Sequence, residues 1–293
     1  MTGINLKASA KVVGWLLILE AAMLLMPAAV SLIYGGRDFL PFILAAAITA
    51  FSGVAVSWPL HRVKIQLRRR EGYLLTAIVW VLFSLFGMIP FLLCDHPLSV
   101  ADAYFETMSG FTTTGATVIS DVESYSHAIL FWRALMQWLG GLGIVLFLLA
   151  LLPALNQSGG ITMYNAETTG ITHDKLHPRI RQTAGSLWQL YGILTVMLIF
   201  LLWLGPMDIF DAVCQSLAAI STGGFSTRNS SIAAWNSSYV NAVITLFMFV
   251  AGVNFVLLYG AVHGRARDLF RNDVFRSYLG IVLGAFLLLS IVN

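Results

Sequence analysis

Charged residues and cysteines are scarce in this 293-residue chain. Only 11% of its residues are Asp, Glu, Lys or Arg, whereas a soluble globular domain carries about 25%. Hydrophobic residues make up 58%, and the mean hydropathy is +0.81. This composition excludes an ordinary soluble domain and predicts an integral membrane protein. The two cysteines, Cys94 and Cys214, stand in apolar surroundings, so we expect small buried side chains rather than a disulfide.

The chain also lacks a convincing set of catalytic residues. His127, Glu106 and Ser109 are too scattered to make a nucleophile and base, although a membrane enzyme is the alternative from another class. His173 and His177 have the spacing of metal ligands on one helix face, but a proline follows at once and no third ligand is near. We therefore expect no enzyme activity and no bound cofactor.

Long apolar runs dominate the chain. Each is close to the roughly 17–25 residues that a helix needs to cross the hydrocarbon core of a membrane. A seventh run begins near Ser277 and reaches Asn293. The sequence therefore predicts an all-α polytopic membrane protein whose first span is retained rather than cleaved. The six complete runs lie near 12–34, 38–58, 73–94, 127–152, 185–205 and 238–263.

The connections between these runs alternate in charge. Residues 61–72 and 264–276 carry five and four Lys or Arg, and 153–184 carries three, whereas 95–126 contains five acidic residues and no Lys or Arg. Cytoplasmic loops of membrane proteins carry an excess of Lys and Arg. This pattern predicts a cytoplasmic N-terminus and places the acidic connection on the outer side.

Two short Thr/Gly stretches repeat one pattern. The first segment is residues 112–117 (TTTGAT), and the second segment is residues 221–227 (STGGFST). Each follows an amphipathic stretch that carries an aspartate near its start, Asp102 or Asp211, and each lies between two apolar runs. Glycine permits backbone dihedrals that aim carbonyl oxygens at an ion, and threonine adds a hydroxyl. The pattern predicts two units of helix, re-entrant pore loop and helix that contribute to a cation filter.

The register between the two segments is open to two interpretations. Gly115 lies thirteen residues after Asp102, whereas Gly223 lies twelve after Asp211. Either a one-residue gap pairs Gly115 with Gly223, or Gly224 is its partner. Keeping the Thr-Gly pair aligned favours Gly223. The residues predicted to bind the ion are Thr113, Thr114, Gly115, Ala116, Ser221, Thr222, Gly223 and Gly224.

A few further residues are predicted to support the filter or the helix packing. Arg133 is expected to bond Glu106 or another outer acid and so to brace the filter. Asn254 is expected to bond across helices, with a pore-facing role as the alternative. We expect Glu20 to pair with a neighbouring helix or to reach the interface, and the glycines of 140–143 to allow close helix packing.

Four motifs in order give the chain a family resemblance. They are 108–117 (MSGFTTTGAT), 137–143 (QWLGGLG), 221–227 and 251–255 (AGVNF). With them the chain resembles the bacterial TrkH/TrkG potassium-uptake subunits of the TrkH/KtrB/HKT superfamily. The helix pair at 12–58 is typical of the TrkH branch.

The resemblance implies four pore-loop repeats around one potassium pathway in the bacterial inner membrane. It also implies a homodimer and a cytosolic, nucleotide-binding TrkA-like subunit, with K⁺ as the transported ion and no nucleic acid. The chain itself has no phosphate-binding glycine loop between a strand and a helix.

On this interpretation the chain supplies two complete repeats and part of a third. We therefore expect a C-terminally truncated chain. The alternatives are a non-conducting fragment or membrane scaffold, or a half-pore that needs a second chain. The predicted parts are an N-terminal helix pair with its basic loop (1–72), the first repeat (73–152), a cytoplasmic loop (153–184), the second repeat (185–263), and a loop with the first helix of a third repeat (264–293).

Overall fold

A computed structural model describes residues 5–63, 65, 69–141, 143 and 180–292. These ranges contain helices and turns and no strand. The first part of the chain forms α1 (Leu6–Ile33), α2 (Phe39–Ser57), α3 (Arg69–Gly87), α4 (Ile89–Leu93), α5 (Val100–Phe111) and α6 (His127–Gly141). The second part forms α7 (Ile180–Trp203), α8 (Ile209–Ile220), α9 (Ser238–Ala251), α10 (Phe255–Gly260), α11 (Ala266–Arg271) and α12 (Asp273–Val292).

Two short helices, α5 and α8, occupy the positions predicted for the re-entrant helices. Both are twelve residues long. The hydroxyl of Ser99 accepts the backbone N–H of Asp102 at the start of α5, and the carboxylate of Asp208 accepts that of Asp211 at the start of α8. An oxygen at this position satisfies a backbone donor that the helix leaves free. The same capping therefore begins both helices at equivalent places.

The predicted spans are recovered in part. Five helices of the described ranges are long and apolar enough to cross a membrane, and a bent pair would make a sixth. The five correspond to the runs at 12–34, 38–58, 73–94 and 185–205 and to the one that begins near Ser277. The run at 127–152 is described as helix only as far as Gly141. Its remainder lies outside the described residues, as do His173, His177 and nearly all of the loop 153–184.

The run at 238–263 is not one straight span. The chain breaks between Ala251 and Phe255, and the helices on either side are bent by 101°. The side-chain oxygen of Asn254 accepts the backbone N–H of Val256 at 2.9 Å and so caps the start of α10. The predicted bond of Asn254 across helices is therefore wrong, because its amide satisfies the new helix end that the break creates.

Helices α1 and α2 form a closely packed antiparallel pair. A Cβ built at Gly14 would lie 2.7 Å from the carbonyl oxygen of Gly53, and the reverse distance is also 2.7 Å. Small residues at such a crossing let two backbones approach within a membrane. Two apolar clusters fill the interior between the other helices. One contains residues of each helix from α1 through α6 and of α8, and the other contains residues of α7, α8 and α9. Trp138 packs against both clusters.

Contacts at the helix ends define two opposite sides of the molecule. At one end, the ammonium of Lys11 donates to the carbonyl of Val63 at 2.9 Å, which joins the N-terminal part to the basic connection. At the other end, Tyr34 stacks on His127 with ring centroids 4.2 Å apart, and Phe210 meets both rings. The starts of α6 and α8 therefore lie on the side opposite the N-terminus.

Glu20 is buried in the middle of α1. It is 1% exposed, and neither carboxyl oxygen has a hydrogen-bond partner among the described residues. A Cβ built at Gly87 would lie 3.3 Å from one of these oxygens. The expectation that Glu20 pairs with a neighbouring helix or reaches the interface is therefore wrong. Because an unpaired charge is costly in an apolar interior, this site suits the neutral acid.

Candidate functional site

The two Thr/Gly segments have the same backbone conformation. Thr113 and Thr222 are each the second residue after a twelve-residue helix, and their φ angles are 55° and 56°. Gly115 and Gly224 are each the fourth, with φ angles of 75° and 87°. The segments therefore align without a gap, and Gly224 is the partner of Gly115. The predicted pairing of Gly115 with Gly223 is wrong.

Equivalent hydrogen bonds turn the chain at the end of α5 and α8. The N–H of Thr114 donates to the carbonyl of Ser109 at 2.9 Å, and the N–H of Gly223 donates to that of Ala218 at 2.9 Å. Such bonds satisfy carbonyls that a helix C-terminus leaves without partners, and they require a left-handed residue at the turn. That residue is a threonine in both segments. A left-handed threonine has a higher conformational energy than a left-handed glycine, so the surrounding structure must hold it in this conformation.

The two segments touch each other through their backbones. A Cβ built at Gly115 would collide with the carbonyl oxygen of Gly223. A Cβ built at Gly224, the residue equivalent to Gly115, would meet nothing within 4 Å among the described residues. The backbone at this position is thus covered by the other segment at Gly115, whereas no described residue covers it at Gly224. Alternate residues of the second segment are buried at Ser221, Gly223 and Phe225 and exposed between them.

A buried ion pair supports both segments. The Nε of Arg133 lies 2.8 Å from an oxygen of Glu106, and the two side chains are 2% and 0% exposed. Glu106 also accepts the hydroxyl of Thr117 in the first segment, while Arg133 donates to the carbonyl of Ser226 in the second. The contact predicted between Arg133 and Glu106 is therefore present. Because hydrogen bonds from both segments surround it, the burial of this pair is compensated.

The second repeat replaces this ion pair with a different arrangement. Gln215 occupies the position in α8 that Glu106 has in α5, and its amide donates to the hydroxyl of Ser226 at 2.6 Å. The acid that forms an ion pair in this repeat is Asp211, which accepts the hydroxyl of Thr227 at 2.6 Å and the guanidinium of Arg228 at 2.7 Å. The hydrogen bond to Asp211 and the negative charge of Asp211 raise the pKa of Arg228. The side chain of Arg228 is 42% exposed, so the ion pair of this repeat lies towards the surface.

Asn229 joins the acidic connection of the first repeat (95–126) to the second repeat by hydrogen bonds. Its side-chain oxygen accepts the N–H of Val122 at 2.8 Å, and its side-chain nitrogen donates to Asp121 at 2.7 Å. Its backbone N–H donates to Glu123 at 3.0 Å. Two acids of the acidic connection are thus bound across to the second repeat. No local sequence signal marks Asn229, because its partners lie more than a hundred residues away in the chain.

The C-terminal part of α6 packs directly on the segments. A Cβ at Gly140 would collide with the carbonyl oxygen of Phe111, and one at Gly141 would lie 2.8 Å from the Cα of Ser221. The prediction of close helix packing is confirmed for these two glycines. Gln137, one turn earlier, accepts the N–H of Phe225 at 3.0 Å. Its motif was recognised in the sequence, but its contact with the second segment was not predicted.

Apolar helices, two short re-entrant helices and two matching Thr/Gly turns define a polytopic membrane transport protein of the pore-loop class. A family model described as "TrkH: Cation transport protein" matches residues 40–282. The chain therefore belongs to the TrkH family of cation transport proteins.

Characterised relatives and a solved structure extend this match. The chain is 39% identical over 284 residues to the "Trk system potassium uptake protein TrkH" of Escherichia coli K12, covering 94% of this chain and 58% of that protein. It is 35% identical over 281 residues to TrkG of the same organism, again covering 94% and 58%. The crystal structure of the potassium transporter TrkH from Vibrio parahaemolyticus matches with a TM-score of 0.84 and 32% identity, covering 97% and 58%. The chain thus spans somewhat more than half the length of these relatives.

Proposed function

We propose that the chain forms part of a pathway for potassium uptake across the cytoplasmic membrane. The observation that carries this proposal is the pair of matching Thr/Gly segments in backbone contact at Gly115 and Gly223. The names of the E. coli relatives, both potassium uptake proteins, support K⁺ as the transported ion.

In this proposal the segments replace the water shell of the ion with backbone oxygens. The C-termini of α5 and α8 carry partial negative charge, which favours a cation beside them. The acidic outer connection would raise the local cation concentration at the entrance. Permeation involves no covalent step, so the chain acts as a transporter and not as an enzyme, with K⁺ as its cargo. The ion-binding set is Thr113, Thr114, Gly115, Ala116, Ser221, Thr222, Gly223 and Gly224.

The proposed orientation has the N-terminus in the cytoplasm of a bacterial cell and the acidic connection outside. It is supported by the exposed basic residues Arg265, Arg267 and Arg271 after the second repeat. A homodimer that binds a cytosolic, nucleotide-binding TrkA-like subunit is part of the same proposal. So is the division into a helix pair (1–72), two repeats (73–152 and 185–263) and their connections.

A second candidate is a half-pore completed by another chain or by another copy of this one. Gly224 favours it, because no described residue covers the backbone there, whereas the equivalent position at Gly115 is covered by the second segment. In either case two segments alone do not surround an ion, since a carbonyl cage of this kind uses about four. The two candidates differ in whether rubidium uptake requires association of chains.

The test is uptake of rubidium by vesicles that contain the purified chain. Gly115→Asp should abolish the uptake while the protein still inserts, because the new carboxylate occupies the contact between the segments. Gly35→Asp is the matched control, since Gly35 also has a positive φ, 66°, but no described atom lies within 4 Å of a built Cβ. Unchanged uptake by the Gly115 variant would refute the proposed pathway. No uptake by either form, with the chain inserted, would favour a scaffold or incomplete pore.

A further inference from the structure

Gln137 lies on the face of α6 that also carries Arg133. The two residues are one helical turn apart, which places their side chains on the same side of the helix. Gln137 is 0% exposed, and Arg133 is 2% exposed. Both side chains reach the second segment although their helix belongs to the first repeat: Gln137 through Phe225 and Arg133 through Ser226.

The orientation of the Gln137 amide is fixed by its partner. The N–H of Phe225 needs an acceptor, and only the side-chain oxygen of Gln137 can supply it. The side-chain nitrogen then points elsewhere, and it has no partner among the described residues. A buried amide held by one hydrogen bond, with its other end unsatisfied, is costly for stability alone. This cost indicates that the position serves something besides packing.

The side chain of Gln137 occupies the space that a side chain at residue 223 would need. Unlike Gly115 and Gly224, it is not among the glycines with positive φ. A Cβ built there would lie 2.5 Å from the side-chain oxygen of Gln137 and 2.7 Å from its nitrogen. The equivalent residue of the first segment is Thr114, which keeps a side chain. The difference between the two segments at this position is therefore explained by the amide that lies against one of them.

The same amide lies beside the junction of the two segments. Its nitrogen would be 3.8 Å from a Cβ built at Gly115, the residue whose backbone meets the carbonyl of Gly223. Gln137 thus touches the second segment at Gly223 and Phe225 and approaches the first at Gly115. It is placed to fix how closely the two backbones approach.

We propose that Gln137 is a positioning residue that sets the spacing between the two segments and thereby the preference for K⁺ over Na⁺. The proposal rests on the permeation function above. A carbonyl cage distinguishes these ions by its size and by the number and strength of its dipoles. Without the bond to Phe225, the second segment is free to shift and to close around the smaller ion.

The experiment compares Gln137→Met with Leu135→Met in vesicles. Methionine has nearly the length of glutamine but offers no strong acceptor to Phe225. Leu135 is buried on the same helix, so its variant controls for a new methionine in the core. We expect the rubidium-to-sodium uptake ratio to fall about tenfold in Gln137→Met, the scale of one lost hydrogen bond. The ratio should stay at the wild-type value in Leu135→Met.

Hydrogen exchange at the Phe225 amide provides a second measurement that does not depend on ion flux. Protection of this amide should fall in Gln137→Met and be retained in Gln137→Glu, which keeps an acceptor oxygen. A wild-type uptake ratio in Gln137→Met refutes the positioning role. If the inserted wild-type chain takes up no rubidium, a scaffold or an incomplete pore is favoured, as stated above, and the assigned role of Gln137 in the selectivity of this chain fails with it. In that case, a loss of Phe225 protection in Gln137→Met would support only the hydrogen bond between Gln137 and Phe225. Unchanged protection would refute this hydrogen bond too.

Discussion

The guanidinium of Arg133 lies over the ring of Phe225, 4.2 Å from the ring centroid. A cation carried by the first repeat thus lies on a ring of the second segment, and it also bonds Glu106 of the first repeat and the carbonyl of Ser226 in the second segment. This contact combines an ion pair with a cation–π interaction in a region closed to water. The two repeats are therefore linked by side chains as well as by the backbone contact of their segments.

Arg133→Gln should destabilise the protein and weaken its ion selectivity. The substitution leaves Glu106 buried without its cation, which typically costs about 3–5 kcal/mol. Unfolding of the purified protein and the rubidium-to-sodium uptake ratio measure the two effects. Arg276→Gln is the control, since the ion pair of Arg276 with Asp273 is exposed and 4.0 Å long. Wild-type selectivity and yield in Arg133→Gln would show that Arg133 does not brace the filter.

Adding Glu106→Gln to Arg133→Gln should recover part of the lost stability. The second repeat already has a glutamine, Gln215, at this position, and its amide bonds the hydroxyl of Ser226. Because the double variant leaves no unpaired charge, its loss should be smaller than the sum of the single losses. A double-mutant cycle of unfolding free energies measures this coupling. Strictly additive losses would mean that the two side chains stabilise the fold independently.

Three glycine-to-alanine variants separate backbone strain from close contact. Gly115→Ala should be the most damaging, because it combines a positive φ with a collision against Gly223. Gly224→Ala should cost about 1–2 kcal/mol from strain alone. Gly192→Ala should cost nothing, because Gly192 lies in α7 and no atom of the described part of the chain lies within 4 Å of a built Cβ. Unfolding and rubidium uptake give the order, and equal effects at Gly115 and Gly224 would contradict the contact between segments.

Asn229→Ala should loosen the contact between the acidic connection (95–126) and the second repeat without unfolding the protein. It removes the two side-chain bonds to Val122 and Asp121, each worth about 0.5–1.5 kcal/mol. Hydrogen exchange at the Val122 amide should increase. Asn241→Ala, on the exposed surface of α9, is the matched control and should leave this exchange unchanged. Equal exchange rates in both variants would show that Asn229 does not hold this contact.

Glu20→Gln should retain the expression and thermal stability of the wild-type protein. The buried carboxyl has no partner among the described residues, so a neutral amide of the same shape replaces a neutral acid. Glu20→Lys should sharply reduce the inserted protein, because lysine carries its charge into the same apolar site. Comparable losses in both variants would show that Glu20 is held in its ionised form.

The sequence predicts much of the site because its signals are local. Asp102 and Asp211 mark the starts of α5 and α8, because a helix N-terminus favours negative charge, and glycine marks the turns. The Arg133–Glu106 contact could be predicted because a single arginine in an apolar run faced an acid-rich connection. These inferences require only spacing and charge, which the chain displays directly.

The remaining features depend on contacts between distant parts of the chain. Gln137 meets Phe225, and Asn229 meets Val122, only after the two repeats have packed together. The register was misjudged because a Thr-Gly pair looks like one feature, whereas Gly223 and Gly224 are glycines for different physical reasons. Likewise, nothing local shows that Asn254 caps a helix at a sharp bend.

The contact between Gly115 and Gly223 gives the assembly of segments a direction. It joins two different edges, so it is heterologous rather than two-fold symmetric. Repeated contacts of this kind leave one edge of each type free until they close into a ring. Suppose that an additional segment repeats this contact. The carbonyl of its residue equivalent to Gly223 would then lie against Gly224. The segments would then follow one another around the pore in a single rotational sense. That sense is set by Gly224, whose backbone no described residue covers.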